Sequence, residues 1–107
     1  MNDIVICGIG MTQFGKFLDR GLKSLTEEAV RKALDDAGIS REAIQAAYVG
    51  NAVAGVVTGQ ETIRGQVVLR ALGMGKIPVF NVENACASSS TALHLAAVGI
   101  KSGMYDC

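Results

Sequence analysis

Residues 78–97, PVFNVENACASSSTALHLAA, place a single cysteine between polar residues and the start of a helical pattern. Pro78 opens a short apolar run, Glu83 and Asn84 interrupt it, and Cys86 stands where a slim Ala/Ser/Leu helix begins. A helix N-terminus offers unpaired backbone N–H groups and the positive end of the helix dipole, so a cysteine there is biased toward its nucleophilic thiolate. The same N–H groups can receive an oxyanion as a thioester or ester carbonyl turns tetrahedral, worth roughly 3 kcal/mol for each well-placed donor. A cysteine inside the helix would have no free N–H groups to use. The chemistry this placement permits is acyl transfer through sulfur. On the residues alone a packing role for Cys86 stays open as well, while Glu83 and Asn84 favour a lined cavity over a dry core.

The remaining polar candidates divide by position. His94, eight residues after Cys86, would lie about 12 Å further along the helix axis, too far to be a direct base for that sulfur, and is expected to pack or to bond a neighbouring helix. Asn51, at the end of an expected strand, is suited either to a site at the carboxyl edge of a parallel sheet or to capping a turn. Met11 and Phe14 are placed to line or anchor a loop. Cys7, within IVICGI, reads as a small buried hydrophobe, and Cys107 at the chain end carries no signal of its own. Cysteines at 7, 86 and 107 are too few and too widely spaced for a zinc knuckle, and an odd number suits reduced thiols in a cytoplasmic protein.

At 107 residues the chain is one domain at most, able to bury about 60–65% of its unfolded surface. Half of it is apolar, but with three Phe, two Tyr and no Trp the core must come from Ala, Val, Ile and Leu. Thirteen glycines against one proline point to tight turns and close packing. Zero net charge without a basic run argues against a nucleic-acid surface. No apolar stretch reaches eighteen residues, so no membrane span is expected, and MNDIVICGIG lacks the basic start of a secretory signal.

The elements that must position Cys86 follow from periodicity. Residues 3–9 read as a strand buried on both faces. The loop GIGMTQFGKF has Gln13 where a dinucleotide fingerprint needs its third glycine, and the first helix starts only near residue 25, which argues against a nicotinamide or flavin site. A helix over 25–37 has Ser24 and Glu27 at capping-box spacing, an apolar stripe of Leu25, Ala29, Val30, Ala33, Leu34 and Ala37, and Gly38 to end it. Ser40 starts a short turn of helix, and residues 46–53 form the next strand. A second helix spans 60–72, with Ile63, Val67, Ala71 and Leu72 facing the core and Gly73 as its stop. A third strand covers 78–82, a third helix runs from 86 or 87 to 102, and Tyr105 with Asp106 opens another strand. This βαβαβα order calls for an α/β fold in three layers, a mostly parallel sheet with helices on both faces. A chain that stops on entering a strand is expected to be a fragment rather than a complete domain.

IVICGIGMTQFGK, SLTEEAVRKALDDAGISREAIQAAYVGN and GQETIRGQVVLRALGMGKIPVFNVENACASSSTAL together resemble the thiolase superfamily over essentially the whole chain. The likeness is closest to thiolase-like acetyl-CoA acetyltransferases and sterol-carrier-type thiolases. The NACASS core is specific for the superfamily but less so for the branch, because β-ketoacyl synthases have a related cysteine element. The resemblance implies that Cys86 accepts an acyl group from a coenzyme A thioester and passes it, as a cysteinyl thioester, to a second acyl-CoA enolate or to free coenzyme A. Coenzyme A enters as substrate, with no resident cofactor or metal.

The resemblance also implies a fold of two similar βαβαβαββ halves. Residues 1–107 would then be an incomplete N-terminal domain ending at the start of its fourth strand. It implies dimerisation through the strand before Cys86, residues 79–83, and hence a homo-oligomer in cytoplasmic lipid metabolism. The family's later His elements and second Cys or His base have no counterpart here, so the chain alone is expected to be inactive. Three other functions remain open: a non-catalytic partner subunit or acyl-CoA/lipid-linked binding module, a β-ketoacyl-synthase-like condensing enzyme, and a small α/β module with a structural cysteine.

Overall fold

A computed structural model describes residues 3–107. The apolar stripe expected after residue 24 forms helix α1, Leu22–Ala37, which ends where Gly38 turns left-handed at φ 68°. The Gly38 and Ile39 N–H groups then bond the carbonyls of Asp35 and Leu34, both at 3.2 Å. The helix starts earlier than the spacing of Ser24 and Glu27 implies, and the capping box does not form: Gly21 is the N-cap, with no side-chain cap bond. Arg20 accounts for the difference. Its Nε donates to Ser24 Oγ at 2.9 Å and its Nη1 pairs with Glu28 at 2.9 Å, while Glu27 pairs with Arg31 one turn on.

Hydrogen bonds from Lys32 and then Arg20 hold the Glu28 carboxyl below its ordinary value. A depressed carboxylate contributes stability that is present above its unfolded value and lost as pH falls through the folded one. Glu28→Gln is therefore expected to lower stability modestly at neutral pH, to leave it unchanged at low pH where the carboxyl is protonated, and so to flatten the acid limb, read as unfolding midpoints against pH.

Two short strands, β1 (Ala47–Gly50) and β2 (Val79–Val82), pair in parallel with Ala47 opposite Val79 and Gly50 opposite Val82. A 3₁₀ turn at Arg41–Ala43 leads into β1, as expected after Ser40. Helices α2 (Ala54–Thr58) and α3 (Arg64–Arg70) connect the strands, and α4 (Ser88–Lys101) follows β2. The two-residue period of a strand sorts the side chains into two faces. Ala47, Val49 and Val79 join the cluster of Val68, Leu69 and Met74, which Leu22 and Val30 of α1 also cover. On the other face Tyr48 stacks on Phe80 with ring centroids 4.8 Å apart, and α4 lies across both strands. The result is the expected α/β arrangement, helices on both sides of a parallel sheet.

Residues 3–9 depart from the expectation. Among the described residues only β1 and β2 pair, and Val5 and Ile6 are 73% and 69% exposed. The segment lies on α1 instead. A Cβ on Gly8 or Gly10 would strike the backbone of α1 at Ala33 or Ala29, so the glycines allow an approach that no other residue could make. Side chains of α1 then supply partners that a ladder would have given: Ile9 N–H donates to Asp36 Oδ2 at 2.9 Å, and Lys32 Nζ donates to the Met11 carbonyl at 3.2 Å. Cys7 is exposed with this segment and is not the buried hydrophobe its apolar neighbours suggested.

Smaller corrections follow from local geometry. The strand expected over 46–53 is only four residues long, because Asn51 Oδ1 accepts the Ala54 N–H at 2.9 Å and turns the chain into α2. The second helix is shorter than 60–72. It buries Gly65, Val68 and Leu69, rotated from the expected face, while Ile63 and Ala71 are exposed. Gly73, at φ 76°, ends the turn that follows, as anticipated. Residues 105–106 form no strand, although the Gln45 N–H reaches the Cys107 carbonyl at 2.8 Å.

Ile63 precedes α3 in the left-handed region at φ 44°, unfavourable for a β-branched residue, and it is 57% exposed. Ile63→Gly is expected to stabilise the fold by about 1 kcal/mol, since the strain relieved exceeds the packing lost. Urea unfolding provides the measurement.

Candidate functional site

The C-terminal ends of β1 and β2 and the start of α4 form one corner of the molecule. Gly50, the last residue of β1, lets α4 settle there: a Cβ at this position would lie 2.8 Å from the Ser88 carbonyl carbon and 2.9 Å from the Ser89 nitrogen. The carboxyl edge of a parallel sheet is where α/β proteins place their sites. Cys86 stands at this edge, two residues before α4, and is exposed. It is not the dry, packed residue that its alternative role required.

The turn that carries Cys86 is closed by its neighbours. Ser88 Oγ accepts the Asn84 N–H at 2.8 Å and donates to the Ala85 carbonyl at 2.8 Å. Asn84 Nδ2 donates to Thr91 Oγ1 at 3.1 Å, and that hydroxyl donates to the Ala87 carbonyl at 2.8 Å. The Glu83 carboxylate accepts the Ala85 N–H. Ser88 and Ala87 spend their own N–H groups inside the turn, on Ala85 O and Asn84 O. Among the described residues the N–H groups of Ser89 and Ser90 find no acceptor, which leaves the mouth of α4 with the free donors expected of a helix start.

The other candidates disperse. Asn51 serves as a turn cap and also accepts the Arg64 guanidinium through its backbone carbonyl at 3.4 Å. His94 is exposed on α4 rather than packed, and Met11 and Phe14 are exposed on the N-terminal segment rather than lining a closed loop. Burial, and to a lesser degree the neighbouring Cys7, raise the thiol of Cys107 above its ordinary value, which places it among the less reactive thiols. Among the described residues no cluster of His, Cys, Asp and Glu could hold a metal ion.

Ser88 and Thr91 are the site residues that sequence reasoning missed. The signal was present as the spacing Asn84–Ser88, one helical turn, but the serines read only as small residues. A recess of about 60 Å³ between Asn51, Arg64, Asn81 and Glu83 sits at the same edge; it has room for water but not for a thioester. The larger hollow of about 410 Å³ lies between α1 and the 3₁₀ turn, lined by residues such as Leu34, Arg41 and Met74, and has no part in this corner.

Residues 4–107 match the family described as thiolase, N-terminal domain. An acetyl-CoA acetyltransferase of Methanocaldococcus jannaschii is 43% identical over 106 residues, a match covering 99% of this chain and 27% of that protein. Sterol carrier protein 2 of Homo sapiens is 39% identical over 107 residues, covering 97% of this chain and 19% of its own length. Benzoylsuccinyl-CoA thiolase subunit BbsB of Thauera aromatica is 39% identical over 105 residues, covering 96% of this chain and 26% of its own. The chain thus spans about a quarter or less of the length of these relatives. In three dimensions it resembles 3-oxoacyl-(acyl-carrier-protein) synthase III from Aquifex aeolicus, with a TM-score of 0.68 and 23% identity over 79% of this chain and 27% of that one.

Proposed function

Because the chain belongs to the thiolase family, we propose that it supplies the nucleophile of an acyltransferase acting on coenzyme A thioesters, with Cys86 as the residue that carries the acyl group. The observation that carries this reading is the exposed position of Cys86 at the mouth of α4, on the carboxyl edge of the sheet. The thiolate of Cys86 attacks the thioester carbonyl carbon, and the displaced electron pair moves onto oxygen. Collapse of that tetrahedral species re-forms the carbonyl and expels coenzyme A as its thiolate, which takes a proton from solvent. The acyl group is then bound to Cys86 sulfur, ready for a second acyl-CoA enolate or for coenzyme A. Each step exchanges one thioester for another or for a carbon–carbon bond, so electron balance calls for no redox cofactor, and coenzyme A is a substrate.

The Ser89 and Ser90 N–H groups are the donors this chain offers to the developing oxyanion. A base for the later proton transfers is not supplied by His94, eight residues after Cys86 and exposed. We place that base outside these 107 residues, so the chain alone is expected not to turn over. The test is mass spectrometry of the full-length protein after incubation with an acyl-CoA. A gain of one acyl group on the peptide bearing Cys86 supports the reading, and acylation elsewhere, with Cys86 unmodified, ends it.

Assembly is the second part of the proposal. The described residues include no helix long and apolar enough to cross a membrane. Yet Val5, Ile6, Ile9, Phe14 and Leu18 are each more than two-thirds exposed, an apolar surface that favours association. β2 also has an open edge, with Phe80 43% exposed. A homo-oligomer, or a complex with a separate chain, would cover both, and a reducing compartment such as the cytoplasm would keep Cys86 available.

A further inference from the structure

Ala85, immediately before Cys86, holds φ 48°, a conformation that favours glycine. Something must keep it there: the Glu83 carboxylate takes the Ala85 N–H, and Ser88 holds the Ala85 carbonyl. Ser88 both donates its hydroxyl to the Ala85 carbonyl at 2.8 Å and brings its own N–H to that oxygen at 3.2 Å. The same hydroxyl accepts the Asn84 N–H at 2.8 Å, so the Asn84 N–H and the Ala85 carbonyl are tied to one oxygen atom. Ser88 is the one polar residue that is buried among the described residues, at 5% exposure, whereas Ser89 and Ser90 beside it are exposed. Its backbone rests against Gly50, which fixes the clamp to the end of β1. Resting on the reading of Cys86 as nucleophile, we infer that Ser88 is a positioning residue: it holds the bend at Ala85 so that the Cys86 sulfur faces the free N–H groups of α4. It touches neither substrate nor the reacting atoms.

The bend gives a test that a merely structural role would not pass. Each thiol of the intact chain is alkylated with iodoacetamide at neutral pH and the rates are read peptide by peptide, with folding followed by circular dichroism. In the unaltered chain Cys86 is expected to react about tenfold faster than Cys7, which is also exposed. Ser88→Ala is expected to remove most of that advantage, and Ser102→Ala, at the far end of α4, to leave it intact. Adding Ala85→Gly to Ser88→Ala should restore the rate, because glycine needs no clamp to hold a left-handed bend. A folded Ser88→Ala protein with unaltered Cys86 reactivity would overturn the positioning role while leaving the nucleophile standing. If Ser88→Ala does not fold, the double variant decides: a fast Cys86 supports the inference, and a slow one in a folded protein overturns it. An unaltered chain in which Cys86 reacts no faster than Cys7 removes the nucleophile reading and the inference together.

Discussion

Cys86→Ser in the full-length protein is expected to lower acyl transfer by about 10³-fold or more, with the protein still folded. Sulfur is the more polarisable and intrinsically better nucleophile toward a thioester, and an alkyl hydroxyl in the same place does not replace it. The stability cost should be within about 0.5 kcal/mol, since Cys86 is exposed and its side chain enters no hydrogen bond among the described residues. Paired measurements settle the matter: initial rates with an acyl-CoA donor, and thermal unfolding of the same preparation. Turnover that survives the substitution would transfer support to a non-catalytic subunit or binding module, whose association with a partner should be indifferent to Cys86→Ala.

Gly50→Val is expected to disrupt the fold strongly. The first added carbon already falls 2.8 Å from the Ser88 backbone, and that backbone is pinned by the turn at 84–88. Neither side can yield cheaply, so α4 must lift from the sheet, at about 3 kcal/mol or more. For a domain of this size that lowers Tm by about 10–20 °C. Gly21→Ser is the comparison. Gly21 has an ordinary φ of −93°, no atom within 4 Å of an added Cβ, and a vacant capping role, so a change of at most a few tenths of a kcal/mol, in the stabilising direction, is expected there. Equal losses from the two substitutions would mean that Gly50 is not the point of close approach.

Features governed by local chemistry were readable from the sequence. The stripe of α1 and its stop at Gly38, the turn after Ser40, the stop at Gly73 and the placement of Cys86 just outside α4 all follow from side chains within one or two helical turns. What escaped depended on distant partners. DIVICGI has the composition of a buried strand, but composition does not say what pairs with it, and the close fit of Gly8 and Gly10 on α1 gives the segment another place to lie. Ser24 could not cap α1 because Arg20, four residues earlier, claims its hydroxyl. The Val-rich segment after Asn51 looked like continuing strand until the Asn51 side chain, bonding Ala54, converted it to a helical turn. The position of Cys86 just before α4 was legible, whereas the burial of Ser88 was not, since Ser88 differs from Ser89 and Ser90 only in facing the sheet.

The chain has no tryptophan, and both its tyrosines meet at a single seam: an added Cβ on Gly99 would touch the Tyr48 hydroxyl and the Tyr105 ring. Tyrosine emission from these residues therefore reports on one packed seam, where β1 and the residues after α4 meet that helix. A change in that emission would report a change in packing at this seam, with no dye or label attached.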